Sequence, residues 1–348
     1  MSNFDDLSLA VASFGANNKV IFDDVEKPSI MVSVPKMTYA DIITGGSTDV
    51  LPWWIVDGEE KSEIWVSKYI NCVVNDRAYS LPMKDPKEYI NFDQALAACR
   101  KKGNGWHLNQ NGVFACLNLL AQRMGKIPRG NTNWDKSYEK AYERGINTYI
   151  DGTHGGGRTA TGSGPVTWYT EHSISGIVDL CGNCWEWVAG LRIVGGEIQI
   201  IPNGAAMKLD CSMTATSTMW KAIMPDGTLV EPGTAGTLKY DNSDGLKINT
   251  STQAESFNIN AAFKDIAAVN GVSIPKILIA AGIVPDSADD WTGPSTHRQY
   301  VNTDGERLPC RGSGFNNTSN GGVGALYLGN PRANSYRDIS FRSAYVEL

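Results

Sequence analysis

Near the C-terminus, apolar and polar residues alternate in the way that a half-buried β-strand requires. Leu326 and Leu328 are two positions apart, so their side chains point to one face and Tyr327 points to the other. The same spacing separates Ile339 from Phe341. The pattern predicts β-strands whose apolar face is buried, and it is too regular for a linker.

Helical patterns come much earlier in the chain, after a strand predicted over residues 63–74 from its alternating β-branched and aromatic residues. Residues 90–103 predict an amphipathic helix capped by Asn91 and stopped by Gly103. Its apolar stripe comprises Phe92, Ala95, Leu96 and Cys99. A second helix is predicted within residues 105–125. Two early helices followed by strands indicate an α+β fold.

The chain divides into segments of different character. Residues 1–61 predict an N-terminal arm or small β element, and residues 62–348 predict the main domain. Within that domain, composition shifts to Thr, Ser, Asn and Gly over about residues 211–294, which indicates an insertion. A satellite subdomain is the simplest interpretation of the insertion, and a partner contact is the alternative.

Two helical patches are predicted inside this insertion, at residues 261–271 and 274–286, with Pro275 at the first helical position of the second. Residues 127–165 read as loop. The triplet at residues 155–157, Gly-Gly-Gly, is not followed by Lys-Ser or Lys-Thr, so we expect a surface loop and no phosphate site.

Residues 311–342 have the composition of a binding surface. Between two terminal arginines they contain Asn, Ser, Gly and Tyr, with only Arg332, Arg337 and Asp338 charged. Antibody combining loops use the same mixture, because Tyr gives rigid contact area and Asn and Ser give adaptable hydrogen bonds. The predicted ligand-contacting residues are Phe315, Asn316, Asn317, Ser319, Asn320, Tyr327, Gly329, Asn330, Ser335, Tyr336 and Arg337. A Gly-rich hairpin that only closes a sheet is the alternative.

The charge balance argues against several classes of partner. The 348 residues carry a net charge of -6, and the pI is near 5.3, so there is no basic footprint for nucleic acid or an anionic membrane. No apolar run has the length of a membrane span, so we expect no membrane insertion. Asp5 and Asp6 stand where a secretory signal needs positive charge.

Cysteine and histidine usage gives no support for a metal site. An odd count of seven cysteines favours reduced thiols. Cys181 and Cys184 form a lone CxxC with no second pair to complete a zinc site, so we interpret them as structural. No histidine stands at a metal-ligand spacing from another. We therefore predict no metal, no cofactor and no catalytic residue.

The most suggestive carboxylate is Glu186, which lies between Trp185 and Trp187. A buried glutamate is usually paired, because an unpaired buried carboxylate costs several kcal/mol or becomes protonated. We interpret Glu186 as a paired structural anchor, and Trp106, Trp185 and Trp187 as scaffold.

Several motifs occur in an order that resembles one protein family. They are VSKY, FDQALAAC, GWHL, PRGN, GIVDLCGNCWEW, RGSGF and the terminal SFR. Together they resemble the formylglycine-generating-enzyme branch of the C-type lectin fold, over most of residues 64–341. Within that branch the chain looks like the variable proteins of diversity-generating retroelements, whose terminal segment resembles residues 311–342. Two departures are Ser313-Gly314-Phe315 for the usual Gly-Ser-Trp, and Ser340 for the Gly before Phe-Arg.

This resemblance implies a function. In that family a retroelement rewrites the terminal segment by mutating adenines copied from a template repeat. The chain would then be a ligand- or receptor-binding protein, either a phage receptor-binding (tropism) protein or a surface-displayed adhesin. Its partner would be a protein or glycan receptor on a host cell surface. The expected location is the phage virion surface, with the bacterial cell surface as the alternative, and the arm or the insertion is a candidate homo-oligomer contact.

Three other functions are weighed against this one. An oxidase of the formylglycine-generating type needs reactive cysteines after the Arg-Gly element, and no cysteine follows Cys310. A calcium-dependent lectin needs a sugar-coordinating triplet, and the nearest one, at residues 231–233 (Glu-Pro-Gly), lacks the amide; calcium-independent glycan binding stays open. A structural tail or capsid component is the third alternative.

Overall fold

The computed structural model describes residues 3–251, 255–287, 289 and 291–348 and is mainly β-sheet with a few short helices. Some residues of the predicted segments 1–61 and 211–294 therefore lie outside the described residues. They are residues 1, 2, 252–254, 288 and 290. The α-helices are α1 (Asn3–Ala12), α2 (Tyr39–Ile42), α3 (Phe92–Arg100), α4 (Asn111–Arg123) and α5 (Lys276–Ala280).

The strands follow one another along the chain, with most of them shorter than six residues. They are β1 (Asn18–Phe22), β2 (Pro28–Pro35), β3 (Ile55–Val56), β4 (Glu59–Glu60), β5 (Glu63–Ser67), β6 (Cys72–Val74), β7 (Arg77–Tyr79), β8 (Trp106–Leu108), β9 (Trp185–Trp187), β10 (Leu191–Val194), β11 (Glu197–Ile200), β12 (Lys221–Ile223), β13 (Leu229–Val230), β14 (Lys239–Asp241), β15 (Lys247–Asn249), β16 (Asn258–Ala261), β17 (Ala267–Ala268), β18 (Gln299–Asn302), β19 (Glu306–Arg311), β20 (Leu326–Asn330), β21 (Ile339–Phe341) and β22 (Ser343–Tyr345).

One sheet joins the two ends of the chain. It has five strands in the order β1-β2-β5-β22-β8. Val66 of β5 pairs with Val32 on one side and with Ala344 on the other. The segment predicted as an N-terminal arm or small β element thus supplies a hairpin to this sheet. Trp53 and Trp54 of the same segment are buried in the largest hydrophobic cluster, so packing crosses the predicted boundary near residue 62.

The larger sheet of the described residues contains 13 strands and places β9 beside the C-terminal segment. Strand β9 pairs antiparallel with β19 and parallel with β21. At the centre of this arrangement Glu186 is opposite Arg311 on one side and Ser340 on the other. The expectation that the strand of Trp185–Trp187 packs near the segment after Arg311 is confirmed.

The two early helices lie where they were predicted, although α3 ends at Arg100, three residues before Gly103. The side chain of Asn91 accepts a hydrogen bond from the backbone of Gln94 at 2.9 Å, and the Gln94 side chain accepts one from the Asn91 backbone at 3.1 Å. This reciprocal cap fixes the start of α3. Helix α4 ends just before Gly125, which has a φ of +64°, a value that glycine adopts without strain.

The region predicted as an insertion extends the large sheet instead of standing apart from it. Strand β11 pairs with both β12 and β14, and β16 pairs with β18. Side chains from the same region, such as Tyr240, Phe263 and Leu278, are buried in the largest hydrophobic cluster. The described residues of this segment therefore share a sheet and a core with the rest of the chain, and the insertion itself stays a prediction.

Three predictions of local secondary structure are wrong. Residues 261–271 form a 3₁₀ turn and β17 instead of a helix, because parallel pairing with β15 outweighs the helical propensity of alanine. Pro275 is the N-cap of α5 and not its first residue. The single strand predicted over residues 63–74 is two strands, β5 and β6, which belong to different sheets.

No helix among the described residues combines the length and the apolar character that crossing a membrane requires.

Candidate ligand-binding site

Two buried arginines fix the ends of the C-terminal segment. Arg311 donates hydrogen bonds from Nη2 to the carbonyl of Ala281 at 2.6 Å and from Nε to Asn111 Oδ1 at 2.9 Å. Arg342 donates to both carboxylate oxygens of Glu186, at 2.5 and 2.6 Å. Both arginines are 0% exposed, so the segment between them begins and ends in the scaffold. The prediction that Glu186 is paired is confirmed.

Along strand β20, buried and exposed side chains alternate as the sequence pattern predicted. Leu326 and Leu328 are fully buried, whereas Tyr327 and Gly329 are partly exposed on the opposite face. Hydrogen bonding to β19 on one side and β18 on the other holds the backbone of β20 in place. The side chain of Tyr327 therefore projects from a backbone whose position does not depend on it.

A cavity of about 390 Å³ opens beside this exposed face. We call it the Tyr327 cavity. It is lined by Trp185, Tyr327, Gly329, Asn330, Pro331, Asn334, Tyr336, Asp338 and Ile339. The ring centroids of Trp185 and Tyr327 are 5.5 Å apart in an edge-to-face arrangement, and Tyr300 packs 5.2 Å from Tyr327. These contacts place the aromatic wall without any contribution from a ligand.

A second cavity of about 220 Å³ lies next to the first. We call it the Trp134 cavity. It is lined by Trp134, Asp151, Phe315, Asn316, Tyr336, Arg337 and Asp338. Tyr336 and Asp338 line both cavities, so the two form one continuous surface. The Trp134 ring stacks on His154 with a centroid distance of 3.8 Å, and His154 Nδ1 lies 2.8 Å from the Asp151 carboxylate, a contact that lowers the pKa of Asp151.

Asp338 is the carboxylate at the centre of this surface. Burial raises its pKa above the ordinary value, while the Asn316 side-chain amide, which donates a hydrogen bond to the carboxylate, acts in the opposite direction. The backbone around it is tied to the scaffold: the Trp185 amide donates to the Asp338 carbonyl, and Arg158 Nη1 donates to the Arg337 carbonyl, both at 2.7 Å.

The structure brings together seven of the eleven predicted contact residues. Those that line the two cavities are Phe315, Asn316, Tyr327, Gly329, Asn330, Tyr336 and Arg337. The other four, Asn317, Ser319, Asn320 and Ser335, line neither cavity. The carbonyls of Ser319 and Asn320 instead accept hydrogen bonds from the backbone of Thr296 and Arg298. Their role in ligand contact stays a prediction.

At two of the seven positions the side chain is not free. Phe315 is 1% exposed, and its ring packs 5.3 Å from Trp134 and 6.0 Å from Tyr149. Asn330 is 8% exposed, and its side-chain oxygen accepts a hydrogen bond from Asn334 at 2.7 Å. Because both side chains are buried, they are not free surface groups, and their contact with a ligand stays a prediction.

Some lining residues were not predicted. Trp185 was assigned to the scaffold, and its ring does pack there, yet it also lines the Tyr327 cavity. Asn334 lies inside the predicted segment, and its residue type was the available signal. Trp134 comes from the loop of residues 127–165, where no periodicity marks it in the sequence.

The described residues contain no group of three or more His, Cys, Asp or Glu side chains that could hold a metal ion. The seven cysteines are free thiols, and all but Cys72 are buried. Cys310, the cysteine nearest in sequence to residues 311–342, has a pKa raised well above its ordinary value by burial. A buried thiol of this kind is a poor nucleophile and a poor metal ligand.

Comparisons with known proteins give a distant similarity. No family model matches the chain, and no curated protein matches it. Solved structures similar to it include the Major Tropism Determinant U1 Variant, with 12% identity and a TM-score of 0.32, and the Major Tropism Determinant P3c Variant, with 12% identity and a TM-score of 0.33. Each alignment covers 92% of this chain and 63% of the other, so this chain spans less than two thirds of those structures. Similarity at this level assigns neither a family nor a function.

Proposed function

We propose that this chain is a receptor-binding protein whose C-terminal segment, residues 311–342, recognises a host cell surface. The observation that carries the proposal is the Tyr327 cavity, which lies on this segment and combines aromatic walls with amide and carboxylate groups. Ligand sites in proteins typically have this composition, with an apolar wall and a few placed polar groups.

The anchoring of residues 311–342 in the scaffold supports the proposal that their exposed side chains are diversified. The backbone of this segment is held by Arg311 and Arg342 at the ends, by β-sheet pairing of β20, and by buried Leu326 and Leu328. Side chains such as Tyr327 and Tyr336 contribute little to this anchoring, so they are free to change. A near-copy of the segment beside the gene, differing at adenines and accompanied by a reverse transcriptase, is the genomic observation that tests diversification by a retroelement.

We propose the C-type lectin-like fold of the formylglycine-generating branch for this scaffold, on the order of the sequence motifs and on the pairing of β9 with β19 and β21. We propose binding and not catalysis, since the described thiols closest to the site are buried. Copper binding with thiol-dependent oxygen uptake would support the oxidase alternative instead.

The proposed location is the surface of a phage virion. A receptor-binding protein assembled into a particle reaches the outside when the host lyses, without a secretory signal. Detection of the protein on bacterial cells that carry no virions would favour the adhesin alternative.

The proposal is tested by measuring how fluorescently labelled protein binds to a panel of intact bacterial cells. Tyr336 is 55% exposed on the rim of both cavities, so Tyr336→Ala is expected to reduce binding to responsive cells by about tenfold or more. Tyr142, which is 78% exposed and lines neither cavity, provides the matched control Tyr142→Ala. Equal binding by both variants would contradict the proposed site. Binding that persists in a chelator would favour a metal-independent receptor or glycan.

A further inference from the structure

Asp338 is a charged group whose compensation is incomplete. Its carboxylate accepts hydrogen bonds from its own backbone amide and from Asn316 but forms no salt bridge with any described residue. Two arginines are near enough to favour the charged form of Asp338, but neither forms an ion pair with it. Arg158 forms ion pairs with Asp85 and Glu88 at 2.8 and 2.6 Å, and Arg337 Nη1 donates to the Tyr149 hydroxyl at 2.6 Å. A partly buried carboxylate in this position attracts a cation from outside the chain.

Aromatic rings form part of the wall of the space into which such a cation would enter. Trp185, Tyr327 and Tyr336 line the same cavity as Asp338. The faces of aromatic rings carry negative potential and attract ammonium groups, most strongly when water is excluded. A carboxylate combined with several aromatic rings is therefore suited to an organic cation. An anionic ligand would be repelled by Asp338, and a neutral ligand would leave its charge unused.

We propose that the Tyr327 cavity binds an organic ammonium group of the receptor, with Asp338 as its counter-ion and Tyr327 and Tyr336 as its aromatic walls. The proposal rests on the proposed function, because it names the chemistry that the same site recognises. Both primary ammonium groups, as in lysine side chains and amino sugars, and quaternary ones, as in choline, have the required charge.

The choice of ammonium over guanidinium follows from the shape of the site. A guanidinium is planar and is best met by a carboxylate that offers both oxygens freely. The Asp338 carboxylate already accepts a hydrogen bond from Asn316, so it does not offer both oxygens freely to a guanidinium. A compact ammonium makes contact with several rings at once, whereas a planar group stacks on one.

The experiment titrates the full chain with choline and, separately, with 3,3-dimethyl-1-butanol, a neutral compound of the same shape. Binding is followed by calorimetry or NMR. Choline is expected to bind at least about tenfold more tightly than the neutral compound. Two further titrations use Nα-acetyl-lysine methylamide and its arginine counterpart. They distinguish binding of a primary ammonium or a guanidinium group from binding of a quaternary ammonium group.

Variants locate the effect. Asp338→Asn is expected to lower choline affinity by about tenfold or more, whereas Asp265→Asn, at an exposed carboxylate away from both cavities, leaves it unchanged. Tyr336→Leu provides a second test at an exposed side chain that folding does not need, and it is expected to weaken choline binding while the melting temperature stays the same. The proposal would be overturned if choline bound no more tightly than its neutral isostere and the lysine analogue did not bind, if the arginine analogue bound more tightly than both ammonium compounds, or if folded Asp338→Asn kept the affinity of the unaltered protein.

Failure of this proposal differs from failure of the proposed function. If Tyr336→Ala reduces binding to cells but choline and lysine analogues neither bind nor compete, receptor binding stands and ammonium recognition is wrong. If choline binds through Asp338 but no cell binding depends on Tyr336, the cation site stands and the receptor-binding proposal is wrong.

Discussion

Glu186 and Arg342 form a fully buried ion pair through two hydrogen bonds of 2.5 and 2.6 Å, although 156 residues separate them along the chain. Glu186 lies in the middle of β9, and Arg342 follows β21, the last strand of the C-terminal segment. Arg342 also donates to the carbonyls of Ser67 and Val178. The pair therefore ties the end of the proposed binding segment to both sheets.

Glu186→Gln is expected to lower the free energy of unfolding by about 3 kcal/mol or more, because it leaves the Arg342 guanidinium buried without a counter-charge. Urea denaturation measures the loss, and Glu347→Gln, at an exposed position, is the control. Binding by the remaining folded protein should change little. A variant with normal stability and no binding would show instead that Glu186 acts in ligand recognition.

Phe315 and Tyr336 should respond in opposite ways to truncation, although both come from the same polar segment. Phe315→Ala is expected to cost about 3 kcal/mol or more in stability, because it opens a cavity against Trp134 and Tyr149. Tyr336→Ala should change stability by only about 0.5 kcal/mol, since the ring is exposed. Thermal and urea unfolding of the two variants give the comparison, and a stable Phe315→Ala protein would restore Phe315 to the set of free contact residues.

Gly329 controls the position of the Tyr327 ring. A Cβ at this glycine would lie 2.6 Å from Cε1 of Tyr327, so Gly329→Ser must push the ring aside. The ring is partly exposed and can move, so stability should change by less than about 1 kcal/mol while binding falls by at least about fivefold. Gly293→Ser meets no neighbouring atom within 4 Å and is the control. Unaltered binding in Gly329→Ser would mean that the ligand does not touch the Tyr327 ring.

Local patterns in the sequence predicted those parts of the fold that depend on local physics. The cap at Asn91 and the alternation around Tyr327 follow from neighbouring residues alone, and the structure has both. The pairing of Glu186 was predicted from the cost of burying a charge, but its partner, Arg342, was not. A partner 156 residues away is chosen by sheet topology, which no local pattern contains.

The site was predicted less completely, for the same reason. Polar composition pointed to a segment that lines two cavities, and its role in binding stays a prediction. Composition did not indicate that Phe315 is buried, because Trp134 and Tyr149, which pack against its ring, come from a distant loop. That loop has no periodicity, so its contribution to the second cavity was not predicted. The helix predicted over residues 261–271 was wrong for a different reason, because strand pairing with β15 determines the conformation there.

The last prediction concerns acid stability and a buried histidine beside the C-terminal segment. Burial lowers the pKa of His297 to about 4, and its Nδ1 accepts a hydrogen bond from the Gly324 backbone at 3.1 Å, which a protonated ring could not do. The unfolded chain has an ordinary histidine pKa of about 6.5 and so takes up the proton first as the pH falls.

His297 therefore contributes stability that is present above about pH 6.5 and is lost progressively as the pH falls toward 4, by about 2 kcal/mol between pH 7 and pH 5. Asp289, whose pKa is raised to about 6 by burial, changes stability in the opposite direction, and buried His107 adds to the loss. Both groups remain in His297→Gln, so the difference between that variant and the unaltered protein isolates His297. Urea unfolding at several pH values should show that the free energy of unfolding falls less steeply toward pH 5 in His297→Gln than in the unaltered protein. If the free energy of unfolding had the same pH dependence in both proteins, His297 would have an ordinary pKa in the folded state.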